Sequence, residues 1–175
     1  MYETSETAMS SAGVDFGRIV GALVAHDVRF VLIGGTAALA QGAAVPTDDV
    51  DVAPEHSVAN LTRLSAALAE LGATRRDPVA EGLPVDRDAE SLGAARGWNL
   101  TTAYGDLDIV FVPEGTEGYP DLDRDANEIE IFGAVLRVAS LAAIIRSKQA
   151  TNRPKDQLVL PALRKVLSGR ILDMK

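Results

Sequence analysis

Val31-Leu-Ile-Gly-Gly-Thr36, followed at a short distance by Asp49-Val-Asp51, decides how this chain is read. An apolar run that stops at Gly34 and Gly35 predicts a buried strand ending in a tight turn, with a helix beyond it. Two glycines let backbone N–H groups approach a bulky anion, and a helix starting there adds the positive end of its dipole. Asp49 and Asp51 sit two apart in a second apolar strand, so their carboxylates share one face. A phosphate cradle beside paired carboxylates suits a metal–nucleotide.

Composition sets the outer limits. The chain has 175 residues, 47% hydrophobic and 24% charged, as in an ordinary globular domain. No apolar run approaches the 18 residues of a membrane-spanning helix, so no membrane partner is expected. The polar, acidic start lacks the basic and apolar regions of a signal peptide and predicts a flexible tail over residues 1–12. Residues 13–175 are expected to form one domain, with 139–175 as a helical segment closing it. The absence of cysteine excludes disulfides and thiolate metal sites and suits a reducing cytoplasm.

The net charge of -8 is unevenly placed. From Arg146 onward eight basic residues face only Asp156 and Asp173. A basic end segment opposite an acidic body could hold a polyanion, such as a triphosphate or an RNA end. Lys and Arg that merely solvate terminal helices would give the same count.

Hydrophobic spacing predicts a helix over 14–25, strands over 29–33 and 47–53, a short helix over 36–41, and a helix from Ser57 to about Gly72. Residues 73–97, rich in charge, Gly and Pro, are expected to wrap the site as loops and a short helix. Two hairpins follow, 98–104 with 107–112 through Gly105-Asp106, and 128–132 with 135–138 through Gly133-Ala134. Helices from Ser140 and Pro154 close the chain. This order predicts an α+β (mixed α/β) fold, a mixed sheet packed with helices. His26 and His56 are expected in surface or capping roles, and Asp48 is expected to face away from its neighbours.

A third acid stands in Leu107-Asp-Ile-Val-Phe111, where a charge is costly to bury without a partner. Asp108 is preferred over Asp106, because Asp106 is expected in the turn. Like charges about 4 Å apart repel by about 4 kcal/mol at an effective dielectric near 20. Three gathered carboxylates therefore take up protons or need a cation, and Mg2+ (or Mn2+), with its preference for oxygen ligands, fits. Thr36 could bind a phosphate or cap the following helix. Thr47 could support the metal site or simply favour the strand.

The glycine turn, the Asp-x-Asp pair and the third acid together resemble the nucleotidyltransferase superfamily. The stretch Lys148 to Asp156 sharpens the likeness. Lys148 follows the apolar stripe of its helix, either snorkelling from the core edge or reaching a phosphate, and Asp156 would complement a helix dipole. Lys148, Arg153, Lys155 and Asp156 are similar to the Lys/Arg/Lys-Asp stretch of AbiEii-type bacterial nucleotidyltransferases of abortive-infection and toxin–antitoxin systems. That resemblance implies a catalytic and metal-binding set of Asp49, Asp51 and Asp108. It implies nucleotide contacts from Gly34, Gly35, Thr36, Lys148, Arg153, Lys155 and Asp156. It further implies Mg2+-dependent transfer of a nucleoside monophosphate from an NTP such as ATP to a hydroxyl of RNA (tRNA, for instance) or protein, with a cognate antitoxin or toxin as partner. Two features depart from the pattern: Ala44-Val-Pro46 carries no arginine ahead of Thr47, and the C-terminal helical part is short. Two other readings follow from the same residues. One is a non-catalytic NTP- or partner-binding module, the other a nucleotidyltransferase with a small-molecule acceptor, as in aminoglycoside-modifying enzymes.

Overall fold

The computed structural model describes residues 14–85 and 88–174; the tail expected over residues 1–12 lies outside them. Helix α1 (Phe16–Ala25) is capped by Asp15, which accepts from the backbone N–H of Arg18 at 3.0 Å. Phe16, Ile19, Val20 and Leu23, at helical spacing, are buried. Strand β1 (Phe30–Ile33) is buried at all four positions, the burial expected of a strand covered on both faces. Helix α2 (Gly34–Ala40) begins directly where β1 stops. It is followed by β2 (Asp49–Pro54), α3 (Val58–Glu70) capped by Ser57, and the two-residue β3 (Thr74–Arg75). Next come α4 (Ala89–Ala94), β4 (Gly97–Thr102), β5 (Gly105–Val110) and α5 (Tyr119–Arg124). The hairpin β6 (Asn127–Ile131) and β7 (Ala134–Val138) leads into α6 (Leu141–Thr151) and α7 (Pro154–Asp173).

The seven strands of the described residues form one sheet in the order β3-β4-β5-β2-β1-β7-β6. β2 runs parallel to β5 and β1 parallel to β7, and the other neighbours are antiparallel. With helices packed against it, this is the expected α+β architecture. α6 lies against α2 and carries α7 with it. No helix among the described residues is long and apolar enough to cross a membrane.

Two turns differ from expectation. The first hairpin turns at Ala103-Tyr104, and Gly105 pairs with Thr102. Gly105 has φ +126, and a Cβ there would lie 2.7 Å from a Val14 methyl, so glycine serves close packing inside the strand. Asp106 therefore lies in β5, not in the turn. The second hairpin turns at Phe132-Gly133, both with positive φ, as a two-residue turn with the right-handed twist of its strands requires.

Candidate active site

β2 and β5 are adjacent and parallel, with Asp49 beside Asp106 and Asp51 beside Asp108. The period of two along each strand turns all four carboxylates to one face. Oxygens of Asp49, Asp51 and Asp108 lie within 4.8 Å of one another. The three expected acids thus converge. Asp51 is the most perturbed: burial, then Asp49 and Asp108, raise its pKa from 3.8 to about 7, against the pull of Lys148 and Lys155. Asp108 is also raised, first by burial, with Asp49 and Asp106 adding to it and the Arg76 guanidinium opposing. Asp51, held above its ordinary range by burial and by the charges of Asp49 and Asp108, is short of a cation, and Asp49 is its neighbour on the same strand face. Their hard oxygens fit a divalent ion such as Mg2+.

The glycine turn is shaped by these acids. Gly34 has φ +65, and a Cβ on it would come 2.8 Å from the carboxyl carbon of Asp51. A Cβ on Gly35 would meet the Thr47 hydroxyl at 2.8 Å. The two glycines let the start of α2 close onto the carboxylate face. Thr36 is fully buried and its hydroxyl donates to the backbone oxygen of Asp49 at 2.9 Å, tying α2 to β2. Thr47 donates to the same oxygen at 3.1 Å and to Asp49 Oδ1 at 3.3 Å, so it supports the site. Asp48 is exposed.

The basic residues arrive from the α6–α7 junction. Asp156 is fully buried and accepts from the Arg153 backbone N–H at 3.2 Å and from its Nε at 2.8 Å; Lys148 Nζ lies 3.4 Å away. Burial raises its pKa, but bonds from Arg153 and the charge of Lys148 outweigh burial and hold it below the usual range. Asp156 thus organises Arg153 and Lys148. Lys148 is only 18% exposed, whereas Lys155 is exposed in the first turn of α7. Both act on Asp51 through space. His26 ends α1 and meets Glu70 at 2.5 Å; His56 bonds the carbonyl of Gly93 at 2.8 Å.

One residue was absent from the sequence reading. Arg76, just past β3, places Nη1 3.0 Å from Asp106 Oδ2 and Nη2 in a short hydrogen bond with Asp108 Oδ1. Thr101 donates to Asp106 Oδ1 at 2.9 Å, which anchors the far end of this chain of contacts. The signal available was the Arg75-Arg76 doublet inside the segment expected only to wrap the site.

The sequence matches no protein-family profile and no curated protein. The fold has counterparts among solved structures. The antibiotic-resistance factor ANT(2'')-Ia in solution aligns with a TM-score of 0.59 at 17% identity, over 99% of this chain and 90% of that one. ANT(2'')-Ia in complex with adenylyl-2''-tobramycin aligns at 0.57 and 18%, over 90% of each chain. The lincosamide antibiotic adenylyltransferase LnuA, lincomycin-bound, aligns at 0.60 and 14%, over 89% of this chain and 99% of that one. The fold of this chain is therefore that of the nucleotidyltransferases.

Proposed function

We propose that this chain is a nucleotidyltransferase that moves a nucleoside monophosphate from an NTP to a hydroxyl of a small molecule. The observation that carries the reading is the convergence of Asp49, Asp51 and Asp108 within 4.8 Å. On this reading Asp49 and Asp51 hold a divalent ion, which when bound neutralises phosphate charge and aligns the triphosphate. Lys148 and Lys155, whose charges already reach Asp51, add to the positive field for the phosphates. Arg153 shares the carboxylate of Asp156 with Lys148, and Gly34 and Gly35 bring the start of α2, tied to β2 by the buried Thr36, against Asp51 and Thr47, where its backbone N–H groups are to meet the phosphates.

Asp108 takes the acceptor's role. Its raised pKa makes it a better base than an ordinary carboxylate. It accepts the proton of the acceptor hydroxyl as that oxygen forms its bond to the α-phosphorus. The bond from that phosphorus to the bridging oxygen breaks, and pyrophosphate leaves. The chain forms no covalent bond to the nucleotide in this scheme; positioning and charge supply the rate.

A small acceptor is preferred to RNA or protein because the likeness to antibiotic-modifying enzymes spans nearly the whole chain. The AbiEii-type reading rests on a sequence resemblance from about Phe30 to Leu167, sharpened by the Lys148–Asp156 stretch, and none of the three solved structures above is of that type. The deciding experiment supplies α-labelled NTPs and Mg2+ with a panel of aminoglycosides and lincosamides, and in parallel with cellular RNA and lysate protein. Label on a small molecule, with pyrophosphate released, is the expected result. Label only on RNA or protein would move the function to a macromolecular acceptor. NTP binding without transfer to any acceptor would leave a non-catalytic module.

A further inference from the structure

Four carboxylates face one side of the β2–β5 pair, and a single basic side chain bonds to two of them. Arg76 is held at both ends of its fork, by Asp106 at 3.0 Å and by Asp108 in a shorter contact. Asp106 is itself fixed by Thr101. The guanidinium is charged at every accessible pH, and its flat fork spans two acceptors more rigidly than an ammonium can. Asp106 and Asp108 lie two apart on one strand face, a spacing that a fork entering from the sheet edge can bridge. The Arg76 side chain is about one-third exposed, at the rim of the site.

A permanent positive charge bonded to Asp108 opposes a metal ion at that carboxylate. Among the described residues Asp49 and Asp51 have no such occupant; Lys148 and Lys155 act on Asp51 only through space, and the hydrogen bond to the Asp49 side chain comes from the neutral Thr47. We propose that Arg76 is a built-in cation standing where a second metal ion would otherwise sit: the chain binds one divalent ion, on Asp49 and Asp51, and Arg76 fixes Asp108 toward the acceptor. This inference rests on the proposed metal site and deepens it. Arg76 is then a positioning residue, and Asp106 and Thr101 exist to hold it.

The test counts ions. Titration of Mn2+, followed by its electron-spin resonance, is made on the wild type, Arg76→Gln and Arg76→Lys, with and without NTP. The wild type is expected to bind one ion, with any second at least about tenfold weaker, and Arg76→Gln to recover a comparable second ion. Arg76→Lys, which keeps the charge, is expected to restore the count of one. In turnover, Arg76→Gln is expected to lower kcat about tenfold or more while KM for NTP changes little, because the acceptor side is disturbed. Identical ion binding by wild type and Arg76→Gln overturns the proposal. So do two ions of comparable affinity in the wild type, a result that needs no variant to fold. No ion bound at all would instead remove the metal site on which the proposed function stands, so the two failures are distinguishable.

Discussion

At the scale of single residues, Gly34 and Asp51 are one unit. Gly34 is in the left-handed region and leaves no room for a side chain against Asp51. Gly34→Ala therefore incurs about 1–2 kcal/mol of backbone strain together with a steric collision. Asp51→Ala removes the colliding carboxyl group, leaving a tight Cβ–Cβ contact at 3.0 Å and the strain. Chemical denaturation of both single variants and the double variant should give a non-additive cycle, with Gly34→Ala less harmful once Asp51 is Ala. Additive losses would mean that the carboxylate is not what Gly34 makes room for. Asp51 also makes the metal-free protein sensitive to pH. Its folded pKa is raised from 3.8 to about 7, so the native state binds the extra proton. Stability is highest below 3.8 for this group and declines as pH rises toward and through about 7. Thermal melts without metal should fall between pH 5 and pH 8, and Asp51→Asn should flatten the fall. Excess Mg2+ should offset it in the wild type alone.

At the scale of elements, the junction of α6 and α7 is a preassembled cationic corner built on a buried acid. Asp156→Ala removes the acceptor that caps the start of α7 and binds Arg153 and Lys148, and should destabilise by about 1–2 kcal/mol, since the half-exposed Arg153 regains water. If the corner serves phosphates and not the metal, as proposed, NTP affinity should fall more than affinity for Mn2+ alone. Equal losses in paired calorimetric titrations would place the corner at the carboxylates themselves. The elements differ in how far the sequence disclosed them. Helices α1, α3 and α6, and strands β1, β2, β6 and β7, follow from apolar periodicity and caps, because burying one face is a local requirement that leaves a local trace, whereas α7 is announced by Pro154 in its first turn. Asp49, Asp51 and Asp108 were legible for the same reason, as charges inside apolar strands. The turn at Ala103-Tyr104 was not, since Gly105-Asp106 has the composition of a turn but Gly105 is needed for Val14. Arg76 left only the Arg75-Arg76 doublet, which names no partner. It lies beyond a two-residue edge strand, and its partners are named only once β4 and β5 are in register. A short edge strand buries too little to write a period into the sequence.

At the scale of the whole molecule, charge is divided between an acidic sheet face and a basic C-terminal segment. The basic segment attracts a triphosphate that the acidic face repels until a cation is bound there, and salt screens that attraction beyond about 10 Å at 0.1 M. The association rate for Mg-NTP should fall steeply with added KCl, while the dissociation rate changes less. Stopped-flow measurement across ionic strength would show it, and a salt-independent association rate would argue that only close contacts matter.

The parallel pairing of β2 with β5 has a further consequence, for the order of events when the chain folds. Asp51 and Asp108 are 57 positions apart in sequence, yet neighbours in register. Parallel partners cannot be joined by a tight turn, so this contact closes a long loop and belongs among the slow steps. The β4–β5 hairpin, which carries Trp98, has no such delay. During refolding, Trp98 fluorescence should change before the chain acquires the ability to sensitise bound Tb3+. Sensitised emission would then be a clock that starts only when β5 has docked on β2 and brought Trp98 into one sheet with the ion on Asp49 and Asp51, and a nascent chain would give none until β5 had been synthesised.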